Sequence, residues 1–148
     1  HISKEKWLLR GEARAKKFRH FARRKGEIFV SGDYESATDN LSLGVTMRIL
    51  SRILSHCRDV PEGLRSFAMR SLLAEIEYRD LGGRVVHQAR GQLMGNFLSF
   101  PLLCLHNYLA FRWSIPRDVP LKINGDDIVF RCRVDEKIRW ERNVGAAG

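Results

Sequence analysis

The stretch Leu98-Ser99-Phe100-Pro101-Leu102-Leu103-Cys104-Leu105-His106-Asn107-Tyr108-Leu109-Ala110-Phe111 constrains the fold more than any other part of the chain. It is apolar on almost every side, so it has no face to offer water and must be enclosed. Its length predicts a buried helix rather than a strand, with Pro101 in the first turn, where a missing N–H costs nothing. A chain of 148 residues can enclose such a helix in a core of its own. No run of 18 apolar residues occurs, so no membrane-spanning helix is expected.

The flanking segments supply the cover. Glu27-Ile28-Phe29-Val30-Ser31-Gly32-Asp33 reads as a short buried strand running into a loop. Thr38, Asp39 and Asn40 offer N-caps for a helix to about Cys57, with Met47, Ile49, Leu50, Ile53 and Leu54 at helical spacing. Pro61 opens a second helix through Met69, Leu72 and Leu73. Two strands, 75–79 and 84–88, flank Asp80-Leu81-Gly82-Gly83 as a hairpin, and Leu121-Lys122-Ile123-Asn124-Gly125-Asp126-Asp127-Ile128-Val129-Phe130 forms another. Residues 134–141 look helical, with an acidic first turn suited to the macrodipole. This order predicts an α+β fold, an antiparallel sheet with helices packed on one face.

Charge divides the chain. Residues 1–25 hold ten Lys and Arg against Glu5 and Glu12, or +8 of a total of +9. We therefore separate a basic, helical lead-in (1–26) from a main body (27–148). Phe18 and Phe21, interleaved with the cations, suit either a polyanion partner or a solvated helix face with two core-facing rings. Cys57, Cys104 and Cys132 are too widely spaced for a metal motif and read as free thiols, Cys104 in the core. The absence of an initiator Met and of a closing element at Gly148 suggests a piece of a longer polypeptide.

The adjacent acids Asp126 and Asp127 need an explanation, since a hairpin turn can be built without them. A further acid, Asp33, ends the first strand, and in a sheet a strand end can adjoin a hairpin tip. Three carboxylates at about 4 Å would repel by roughly 4 kcal/mol per pair at an effective dielectric of 20. Divalent cations with a taste for hard oxygen, Mg²⁺ above all, would remove the repulsion and suit phosphoryl transfer. Residue by residue, plainer readings stand: Asn124-Gly125 as a simple turn, Asp39 as an N-cap, Gly91 and Gly95 as turn formers, Ser99 as a helix-start residue.

Three ordered stretches carry a resemblance. Gly32-Asp33-Tyr34-Glu35-Ser36-Ala37-Thr38-Asp39-Asn40-Leu41, Gly91-Gln92-Leu93-Met94-Gly95-Asn96-Phe97-Leu98-Ser99-Phe100-Pro101 and Asn124-Gly125-Asp126-Asp127 resemble motifs A, B and C of viral RNA-dependent RNA polymerases. The spelling is most similar to ourmia-like positive-strand viruses, with narnaviruses and RNA phage replicases as relatives. The resemblance implies a polymerase palm and RNA-templated extension of an RNA 3′ end with NTPs. It implies two Mg²⁺ ions, replaceable by Mn²⁺, held by Asp33, Asp126 and Asp127 with the Tyr34 carbonyl. Asp39 would accept from the NTP 2′-OH, Gly91 and Gly95 would let the second motif flex, and Ser99 would help position Asp39 and the sugar.

Leu103 stands where many such polymerases carry Asn, and Asn107, one helical turn on, is the candidate substitute. The cluster at 14–25 lies too close to the first strand for the triphosphate-holding basic motif, and Lys137 too close to the hairpin for the expected general acid. Fingers and thumb are expected elsewhere, as partners without which this piece is inactive; the host cytoplasm is the implied location. A reverse transcriptase, the nearest rival, usually carries an aromatic gate in place of Asp39. A non-catalytic RNA-binding module built on residues 1–25 is the alternative of another class.

Overall fold

The computed structural model describes residues 2–34 and 37–147. In chain order the elements are β1 (Ile28–Gly32), α1 (Ala37–Asn40), α2 (Leu43–His56), α3 (Glu62–Arg70), β2 (Glu75–Tyr78), β3 (Arg84–His87), α4 (Ser99–Ser114), β4 (Leu121–Asn124), β5 (Asp127–Cys132) and α5 (Val134–Ala147). They form two compact bodies: residues 1–35 with 103–148, and residues 36–102. The fold is α+β.

In the first body β1, β5 and β4 lie side by side in that order, antiparallel throughout. Strand alternation sends Val30, Leu121, Ile123, Ile128, Phe130 and Cys132 to one face, where Phe111 and Ile115 of the α4 region and Trp140 of α5 close the core. Phe130 sits at the centre, edge-on to Phe111 and to Trp140 at 5.0 Å each. Burying each large side chain of this kind contributes about 1.5–3 kcal/mol. Gly32 leaves room for the Trp140 ring: a Cβ there would lie 2.7 Å from a ring carbon.

The outer edge of β4 is covered by the lead-in. Leu8 bridges Ile123 in parallel, Leu9 N–H donates to the Ile123 carbonyl at 2.7 Å, and Ile123 N–H to the Trp7 carbonyl at 2.9 Å. The lead-in is not the helix expected for it. It holds two short 3₁₀ turns, Ile2–Lys4 and Ala15–Phe18. Like charges three and four residues apart disfavour a continuous helix, and Gly11 and Gly26 take positive φ. Phe21 packs against Phe18 and against Phe29 of β1, while the Lys17 ammonium donates to the Arg10 and Glu12 carbonyls.

At the end of the sheet away from the β4–β5 turn, Arg117 donates twice to Glu136, at 2.6 Å each, and once to Glu27 at 2.7 Å. Arg131 pairs with the other oxygen of Glu27. The Arg117 hydrogen bonds pull Glu136 down to about 2 against the opposing effect of burial. Burial pushes Glu27 upward, but the two guanidiniums together outweigh it and leave that carboxyl below the usual range.

In the second body α2 and α3 pack around Leu50, Leu72 and Leu102. The helix expected from Thr38 onward is broken in two. The Thr38 and Leu41 carbonyls accept from Gln92 N–H at 2.6 Å and Gly91 N–H at 2.8 Å, so neither can serve a helix passing through. Ser42 caps α2 instead, its hydroxyl accepting from Val45 N–H. The 75–88 hairpin forms as expected, Glu75 opposite His87, in a sheet of its own.

Candidate active site

The β4–β5 turn is a two-residue loop, Gly125-Asp126, between paired Asn124 and Asp127. Gly125 has φ +67, which the turn requires and other residues resist. The two acids thus differ: Asp126 is half-buried within the turn, and Asp127 is exposed at the first position of β5. On the neighbouring strand Gly32 pairs with Ile128. One step further along this antiparallel register, Asp33 follows Gly32 and Asp127 precedes Ile128, so the ends of β1 and β5 each present a carboxylate.

The turn is held from beneath by α4. The Asn107 side chain, 4% exposed, donates from Nδ2 to the Gly125 and Asp126 carbonyls at 3.2 Å each. Its Oδ1 accepts from the Tyr34 hydroxyl at 2.9 Å. Cys104, three residues earlier and so on the same helix face, receives Gly125 N–H on Sγ at 3.2 Å. Burial raises the Cys104 thiol and keeps it protonated. Burial also raises the Tyr34 phenol, whose ring lies 6.1 Å from that of Trp140. Asn107 therefore ties the residue after Asp33 to the turn that carries Asp126, with its whole amide spent inside the protein.

Among the described residues no Lys or Arg forms an ion pair with Asp33, Asp126 or Asp127. Their donor chemistry, hard oxygen without a protein counter-charge, suits Mg²⁺ or Mn²⁺. They are not drawn into a ready-made cage: among the described residues no group of three or more His, Cys, Asp or Glu is positioned to hold a metal.

In the second body the Gly91 N–H and the Gln92 N–H are bonded to the α1 region, as above. Gly91 has φ +78, and a Cβ there would fall 2.5 Å from the Thr38 carbonyl oxygen and 2.8 Å from that of Asp39. It is a close-approach glycine, pinned by its neighbours, whereas Gly95 faces open space. Ser99, buried at the start of α4, donates to the Leu93 carbonyl at 2.5 Å and closes the loop that contains Gly95. Asp39 is exposed on α1. Glu35 and Ser36 of the first motif lie outside the described residues.

No family model matches the chain. The RNA-dependent RNA polymerase of Ourmia melon virus (isolate Melon/Iran/VE9) is 33% identical over 139 aligned residues, covering 81% of this chain. The chain is a region related to the RNA-dependent RNA polymerases of ourmia-like viruses. It spans 16% of the length of that viral polymerase.

Several supports within this region do not follow from the sequence pattern. Gln92 donates to the Thr46 hydroxyl at 3.1 Å in the core of the second body. Asn96 accepts from Leu98 N–H at 2.8 Å and donates to the Ser71 carbonyl, bracing the start of α4. Their signal in the sequence was their place inside the glycine-bearing second motif, which marks a segment without revealing a partner. Cys104 was read as core and is, but its sulfur also meets the turn.

Proposed function

We propose that this chain is the palm of a viral RNA-dependent RNA polymerase, joining NTPs to an RNA 3′ end on an RNA template. The observation that carries the reading is the pair of strand ends bearing Asp33 and Asp127 beside the Asp126 turn, with no Lys or Arg paired to any of the three among the described residues. In this reading Asp33 and Asp126 hold two Mg²⁺ ions, Asp127 is a weaker ligand, and the Tyr34 carbonyl adds an oxygen. Bound there, the ions would stabilise the attacking and leaving oxygens of an in-line displacement at the NTP α-phosphate. The protein's own work is positioning and charge placement, which dominate phosphoryl transfer.

Asn107 acts within this scheme as a positioning residue, fixing the turn backbone so that the Asp126 carboxylate has one orientation. Asp39 accepts from the ribose 2′-OH, the group that separates RNA from DNA precursors. Ser99 and Gly91 hold the segments on either side of that contact, and Gly95 supplies the freedom to move. The template and nascent RNA, the fingers and the thumb are the partners, and the host-cell cytoplasm is the place of action. Asp126→Asn in the full-length protein tests the assignment through incorporation of labelled NTP on a primed RNA template. Incorporation should vanish while the melting temperature holds, and wild-type incorporation by that variant would refute the polymerase reading.

A further inference from the structure

A second feature of the first body lies at the opposite end of the sheet from the acids. A cavity of about 970 Å³ is walled by the lead-in, by α4, and by the start of β4 and the end of β5. From Leu121, in its wall, to Gly125 in the turn is four strand residues, or about 13 Å. Eight Lys and Arg side chains line the cavity with His20, against one carboxylate, Asp118. Arg131 is neutralised by Glu27, but among the described residues no carboxylate pairs with Lys16, Arg19, Arg24 or Lys122. Lys122 is half-buried, and burial together with the neighbouring Lys17 charge holds its ammonium below the usual lysine range. Such crowding of like charge is costly unless an anion shares the space.

The walls also carry π-faces. Trp7 stacks on Tyr108 with ring centroids 4.3 Å apart and planes 12° from parallel, and Phe21 lines the same space. Cations interleaved with aromatic rings along a concave surface match a strand whose phosphates are neutralised and whose bases stack. A lipid surface would call instead for a projecting apolar face beside the cations. We propose that this cavity binds a single RNA strand through its phosphodiester backbone, as a site separate from the carboxylate turn. The choice of RNA among polyanions rests on the polymerase reading, whereas the anion site itself rests on the cavity.

The test uses the full-length protein in EDTA with a fluorescein-labelled single-stranded RNA of mixed sequence, followed by anisotropy at several salt concentrations. Lys16→Ala/Arg19→Ala/Arg24→Ala removes three exposed cations whose side chains make no hydrogen bond among the described residues. It should weaken binding at least tenfold and make the log–log salt slope shallower by about 2, at about 0.7 per phosphate contact on a single strand. Photocross-linking with 4-thiouridine RNA should label peptides containing Trp7, Phe21 or Tyr108, and the triple variant should lose that label. A charge-preserving variant, Lys16→Arg/Arg19→Lys/Arg24→Lys, should keep both signals. Asp126→Asn should also keep both, so that a failed polymerase assignment would not be mistaken for a failed cavity. Unchanged affinity and slope in a folded triple variant would overturn the proposal, as would cross-links confined to other segments. Binding of phosphatidylserine vesicles that depends on the three cations, with no RNA effect, would overturn it too.

Discussion

Carboxylates occupy both ends of the three-stranded sheet and meet opposite fates. At one end Glu136 is buried and Glu27 half-buried, both bonded to Arg117 and, for Glu27, to Arg131 as well. At the other, Asp33 and Asp127 are exposed, Asp126 is half-buried in its turn, and among the described residues no Lys or Arg pairs with any of them. A buried acid must be paired or it costs the fold several kcal/mol, so the first end is tuned for structure. An acid at a strand end or turn remains hydrated and can wait for a ligand from outside. The same residue type is therefore structural or chemical according to whether the protein has already supplied its counter-charge.

The largest break of this contrast is expected from Asp126→Asn, which should lower NTP incorporation by at least about 10³-fold, or about 4 kcal/mol of barrier, without moving the melting temperature. Arg117→Ala is its counterpart at the other end. It strands Glu27 and Glu136 with less compensation and should cost about 3–5 kcal/mol in urea unfolding, with the loss appearing in stability first. A variant that melts like wild type would show that the network is ornamental.

A smaller effect is expected from Asn107→Leu. It leaves the Tyr34 hydroxyl and the turn carbonyls short of a partner, at about 1–3 kcal/mol per buried group. Incorporation should fall through kcat with little change in the KM for NTP, since the amide is spent on Tyr34 and the turn carbonyls. A change confined to KM would reassign Asn107 to substrate contact. The mildest probe is pH. Glu136 falls from an ordinary 4.5 to about 2 on folding, so its contribution is complete above 4.5 and disappears as pH drops toward 2. Urea midpoints should decline across that window in wild type, and the decline should be flatter in Arg117→Ala.

Much of this arrangement is legible in the sequence. The apolar run at 98–111 became α4, the alternation of 121–130 became β4 and β5, and the 75–88 hairpin paired as expected. Local patterning suffices there because strand and helix periods act within a few residues. The lead-in was misread because its positive-φ glycines and crowded cations defeat a helix that composition alone permits. The break between α1 and α2 was hidden for a different reason. The carbonyls that would have carried the helix through are taken by N–H groups of Gly91 and Gln92, some fifty residues away in the chain.

The candidate site divides along the same line. The acids themselves, their placement on a strand end and a turn, and the need for Gly125 follow from residue type and spacing. That Asn107 is a clasp between Tyr34 and the turn, that Gly91 is a contact glycine, and that Trp7 reaches Tyr108 beside a basic cavity do not follow from them. Periodicity tells a residue which face it occupies, whereas long-range pairing decides what stands opposite. The chain could therefore announce its carboxylates, but only folding could decide which of its acids would be neutralised from within and which left open.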